Sequence, residues 1–135
     1  MKYYIAVILW LVCIGCASNS PKPRSVTQLK VIGVEKFGDN SFAIEIIPEG
    51  MVAGFSTPFG PSALVRDTAS FLKDAHARRI NVLFDGRPAT TQKVIQKSLA
   101  MLPAESLSGT RIHAIGVDPG QLEDAMQRVG AGLVK

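Results

Sequence analysis

Two aspartates, an arginine and a pair of threonines stand where a small protein could do chemistry. Asp85 opens the run Asp85-Gly86-Arg87-Pro88-Ala89-Thr90-Thr91, and Asp118 opens Asp118-Pro119-Gly120-Gln121. Each follows a short apolar stretch with the pattern of a buried strand. Carboxylates at two strand ends suit proton transfer or cation binding. Arg87 with Thr90 and Thr91 at a helix start suits an anion. Asp85, Arg87, Thr90 and Asp118 are therefore the candidate ligand-binding residues, with Glu49 able to join them. The plainer reading of the same residues is structural. Asp118 caps a helix and Asp85 begins a turn at Gly86. The loop is no recognised phosphate cradle, for it has one glycine and no Lys-Ser/Thr pair.

No other constellation rises above these. His76 and His113 are the only histidines, one near a helix end and one inside a strand. They form no His-x-x-x-His or Glu-x-x-His pair. No Gly-x-Ser-x-Gly elbow is present, and Ser56 and Ser62 have ordinary loop and helix-start settings. No catalytic residue, metal site or cofactor is assigned. The loop from Pro48 to Gly60 (PEGMVAGFSTPFG) is more distinctive. From Gly50 onward it is uncharged and carries Met51, Val52, Phe55 and Phe59 among glycines. These side chains either fold over the sheet edge as a lid or form an apolar contact surface. Met51, Phe55 and Phe59 are the candidate partner contacts.

The elements that must position these groups follow from periodicity. Leu29 to Lys36 and Ser41 to Ile47 are two β-rich runs. The turn composition Phe37-Gly38-Asp39-Asn40 between them makes a hairpin with one face buried. Pro61 to Arg79 is an amphipathic helix with Leu64, Val65, Thr68, Ala69, Phe71, Leu72 and Ala75 on one side. Ile80 to Phe84 is a short buried strand. Pro88 to Leu102 is a second helix with Val94, Ile95, Leu99 and Leu102 inward, stopped by Pro103. Arg111 to Val117 is the last strand. A third helix starts at Asp118 and buries Leu122, Ala125, Met126 and Val129. The expected fold is α/β: a small four-stranded mixed sheet in the order ββαβαβα, its first strand antiparallel to the second, with three helices. A split α+β arrangement of the same elements is the alternative. Ligands of open α/β sheets bind beyond the carboxyl ends of the strands, where the three loops above would meet.

The chain has 135 residues, 47% of them hydrophobic and 19% charged. That length and apolarity fit one folded domain and exclude a disordered chain. No collagen-like, heptad or longer repeat is visible.

The N-terminus carries the clearest motif. Lys2 precedes the uncharged run Ile5 to Ile14 (IAVILWLVCI), about half the length needed to span a bilayer. The run matches the core of a secretory signal. Small residues follow in Cys13-Ile14-Gly15-Cys16-Ala17-Ser18. This stretch resembles the lipobox of bacterial lipoprotein precursors, with Cys13 where that family usually has Leu. The resemblance implies that Cys16 is the lipid attachment site and that residues 1–15 are a signal peptide. Residues 16–25 would then be the lipidated cysteine and a tether, and residues 26–135 a single α/β domain. It also implies a palmitate-bearing anchor in the cell envelope. With Ala17 rather than Asp after the cysteine, it favours the outer membrane, facing the periplasm, in a Gram-negative host.

Both cysteines lie at this site, so the mature domain would hold neither free thiol nor disulfide. The formal charge of +4 is a small excess with Arg78-Arg79 as the one adjacent basic pair, and no nucleic-acid partner is expected. The expected function is a lipid-anchored envelope protein, a non-catalytic interaction or assembly module held to membrane lipid through Cys16 and engaging an envelope protein partner. A small ligand-binding or hydrolytic domain using the strand-end loops, and an immunity or exclusion lipoprotein, are the alternatives.

Overall fold

The computed structural model describes residues 23–48, 56–57, 60–61 and 63–135. The candidate contacts Met51, Phe55 and Phe59, the residue Glu49, and Cys16 with its flanking motif lie outside the described residues. In chain order the elements are α1 (Val26–Phe37), β1 (Phe42–Ile46), β2 (Ser56–Thr57), β3 (Gly60–Pro61) and α2 (Ala63–Ala77). They continue with β4 (Asn81–Asp85), α3 (Pro88–Ala100), β5 (Arg111–Ala114), a 3-10 turn (Pro119–Gln121), α4 (Glu123–Val129) and β6 (Gly132–Leu133). The fold is α/β, with four helices among the described residues.

The main sheet has the order β1-β4-β5-β6 and every pairing in it is parallel. This corrects the expected mixed sheet. The segment expected as its antiparallel strand, Leu29 to Lys36, is the body of α1. Its fourth strand comes from the C-terminus instead. The physical reason lies at the helix ends. Ser25 accepts the Gln28 N–H while the Gln28 side chain accepts the Ser25 N–H, a reciprocal capping box. Gly38 takes φ +81° and donates its N–H to the Val34 carbonyl. That left-handed conformation favours glycine, so the turn-rich composition ends a helix instead of joining two strands. Between the caps, Leu29, Gly33 and Phe37 are buried at helical spacing. The β-branched residues that argued for a strand carry only a weak preference, which caps and packing override.

The helix expected from Pro61 begins at Ala63, Pro61 belonging to the β2–β3 pair. Its anticipated inner face holds: Val65, Thr68, Ala69, Leu72 and Ala75 are buried. So do the inward residues Val94, Ile95, Leu99 and Leu102 of the next segment. Asp118 caps the 3-10 turn, and α4 follows it.

Successive parallel strands laid side by side with right-handed crossovers put every crossover helix on one face. Accordingly α2, α3 and α4 share a core with Val82, Phe84, Ile112 and Ala114. The other face is covered by α1, whose Leu29 and Phe37 pack with Leu83 and Ile115 and against Phe42 and Ile44. The approach is close: a Cβ on Gly33 would stand 2.2 Å from the Phe42 ring. α1 runs antiparallel to β1. Its start lies by Asp85 at the carboxyl edge, and its last carbonyl, on Phe37, accepts the Arg111 guanidinium at 2.9 Å at the amino edge.

Candidate functional site

The carboxyl edge of the sheet is built around the end of β4. Asp85 is the last residue of that strand and points to the α1 side, where it is 6% exposed. Burying a carboxylate is costly unless it is paired. Arg24, just before the α1 cap, supplies the partner, its Nη1 lying 2.7 Å from Oδ1. Gly86 follows with φ +154°, and a Cβ there would meet Thr91 Oγ1 at 2.7 Å and the Ile47 carbonyl at 2.8 Å. Only glycine fits this backbone and this gap. Arg87 then takes the N-cap position of α3 without a side-chain cap, and Pro88 sits in the first turn. Thr90 is half-buried and Thr91 buried. Thr91 Oγ1 has no hydrogen-bond partner among the described residues.

The neighbouring loop comes close. A Cβ on Gly116 would lie 3.1 Å from Pro88 Cγ, so the loop after β5 packs on the start of α3. Asp118 in that loop is exposed and accepts the Gly120 N–H at 3.0 Å. The structure thus brings the Asp85 and Asp118 loops to one edge but commits the two carboxylates differently. One is an internal ion pair and the other a cap. The strand order also matters. A strand-end crevice arises where crossovers diverge to opposite faces, and a sheet ordered β1-β4-β5-β6 has no such point.

Two residues at this edge carry more than their sequence setting announces. Arg24 reads as part of a tether and is the partner of Asp85. Glu45 lies on the face of β1 opposite Phe42 and Ile44. In a parallel sheet that face is covered by the crossover helices. Glu45 Oε1 therefore accepts the Thr68 hydroxyl of α2 at 3.1 Å, while Oε2 is buried with no partner among the described residues. Burial pushes the Glu45 carboxyl above its ordinary value of 4.5. The Thr68 hydrogen bond opposes this and the nearby Asp67 charge adds to it.

At the amino edge a cavity of about 550 Å³ is lined by His76, Arg79, Asn81, Ser108 and Thr110, among others. His76 Nδ1 lies 3.0 Å from Thr110 Oγ1. His113 donates from Nδ1 to the Val134 carbonyl at 2.7 Å, which ties β5 to the chain end. Both histidines are thus engaged in tertiary hydrogen bonds. Among the described residues no group of three or more His, Cys, Asp or Glu side chains could hold a metal ion, and no helix is long and apolar enough to cross a membrane. Compared with protein-family models, curated proteins and solved structures, the chain matches none.

Proposed function

We propose that this chain is a lipid-anchored bacterial cell-envelope protein whose α/β domain is a non-catalytic interaction module. The observation that carries the reading is Cys13-Ile14-Gly15-Cys16 at the end of the apolar run Ile5 to Ile14. A thiol behind a small residue and an apolar core is what thioether lipidation and cleavage require. In a Gram-negative host the domain sits on the outer membrane and faces the periplasm, with an envelope protein as partner. The Arg24–Asp85 ion pair supports the reading. It fastens the chain to the sheet eight residues after Cys16, so an anchor there holds the domain within about 28 Å of the bilayer.

The test is Cys16→Ser in the full chain. It should leave an unprocessed precursor or release the protein from membranes. Processing and membrane retention through another site overturn the anchor. Co-purification of the tagged wild-type chain from gently solubilised envelopes tests the module. A stoichiometric companion protein is expected, and a solitary chain overturns the interaction reading.

A further inference from the structure

The cavity at the amino edge of the sheet is lined by polar groups from two neighbouring segments. His76, Arg79 and Asn81 stand where α2 turns into β4, and Ser108 and Thr110 stand in the loop before β5. The Arg111 N–H donates to Asn81 Oδ1 at 3.1 Å and ties the two segments together. That bond leaves Nδ2 as the donor of the Asn81 amide. His76 Nδ1 is held by Thr110 Oγ1 at 3.0 Å, which leaves Nε2 for a ligand. Arg79 is exposed, and its guanidinium has no partner among the described residues. None of the lining residues is acidic. Arg79 also has an unusual backbone. Its φ is +58°, the left-handed conformation that glycine commonly supplies at a helix end. An arginine there costs stability relative to glycine and puts a cation at the cavity.

We propose that this cavity binds a small phosphate monoester, with Arg79 as the charged clamp on the phosphate and His76 Nε2, Asn81 Nδ2 and the Ser108 hydroxyl as further donors. Four donor groups around one opening, with no carboxylate among them, suit an anion and leave a cation without a ligand. The neighbouring charges do not cancel Arg79. Asp74 pairs with Arg78 at 3.2 Å, and the Glu105 carboxylate turns towards Gly130. The carboxyl end of α2 carries about half a negative charge, less than the full charge of the guanidinium. Its carbonyls on Asp74, Ala75 and His76 already accept the N–H groups of Arg78, Ile80 and Arg79. A volume of about 550 Å³ falls in the range of small-molecule sites and exceeds what a bare phosphate fills. Ala77 and Ile80 in the lining give the organic part of the ester an apolar wall. The cavity lies at the opposite end of β4 from the Arg24–Asp85 pair, and the site stands whether or not the chain is lipidated.

The test is isothermal titration calorimetry of the full-length chain in a neutral detergent at low ionic strength. Inorganic phosphate and glycerol 3-phosphate are the probes. Expected is one saturable site for each, with glycerol 3-phosphate the tighter. Arg79→Gly should weaken both by at least about tenfold, through loss of charge-assisted hydrogen bonds. Its unfolding midpoint should stay or rise, because glycine suits a φ of +58°. Ser108→Asp, at an exposed loop position, should abolish binding by placing a carboxylate in the cavity, with the midpoint in place. No saturable heat from either probe up to about 10 mM overturns the proposal. Binding that neither variant weakens also overturns it, and shows that the anion sits elsewhere. Equal affinity for the two probes overturns the ester and leaves a site for the bare anion. A fall in the midpoint of Arg79→Gly makes that arginine a structural residue and overturns its assignment as the clamp.

Discussion

Cutting the ion pair at the carboxyl edge should have unequal consequences from its two sides. At 2.7 Å two unit charges attract by about 6 kcal/mol at an effective dielectric of about 20 and by about 1.5 kcal/mol in bulk water. The Arg24 side chain is 43% exposed and that of Asp85 only 8%, so the pair sits between these limits. Desolvation of Asp85 offsets part of the gain. A coupling of about 1–3 kcal/mol remains. Arg24→Ala strands a carboxylate in the protein and should cost about 2–3 kcal/mol. Asp85→Ala leaves a guanidinium that can turn to water and should cost about 1 kcal/mol. The double variant should resemble Asp85→Ala. Urea unfolding of the four chains, in the Cys16→Ser background and read by circular dichroism, measures all three values. The reasoning fails if Asp85→Ala costs as much as Arg24→Ala, or if the coupling falls below about 0.5 kcal/mol.

Two further perturbations probe the same edge. Gly86→Ala should destabilise the domain by about 3 kcal/mol, since its Cβ meets the Ile47 carbonyl and Thr91 at a φ that alanine resists. Thermal unfolding checks this, and an unchanged midpoint would mean the strand end relaxes freely. Glu45 should make the protein less stable as pH rises. Its folded carboxyl binds a proton more tightly than the unfolded one, so the native state holds more protons from about pH 4.5 upward and loses that advantage through the window. Glu45→Gln keeps an acceptor for Thr68 and should stabilise the protein at neutral pH while flattening the profile. A steeper profile in the variant would contradict the assignment.

Much of the fold is legible residue by residue. The buried faces of α2 and α3 follow from 3.6-residue periodicity, and β4 from the short apolar run Val82-Leu83-Phe84, which suits a strand covered on both faces. The first element is not, because VTQLKVIGVEKF is rich in residues suited to either state. Its decisive signal is local but easily passed over: Ser25 with Gln28 three places on, and Gly38 past the end. Misplacing that one segment changes the sheet from all-parallel to mixed. At the site, sequence brings the Asp85 and Asp118 loops to a common edge by topology. It cannot show that Asp85 turns towards Arg24, sixty-one residues away, while Asp118 closes on its own loop.

By itself the sequence determined the helix and strand periods, the caps, and the motif at Cys16, because these depend on neighbours within a few residues. Tertiary structure alone decided that both faces of β1 are covered and which carboxylate is paired. Those outcomes depend on what packs from distant parts of the chain, and burial is a property of the assembled layers, not of any local pattern.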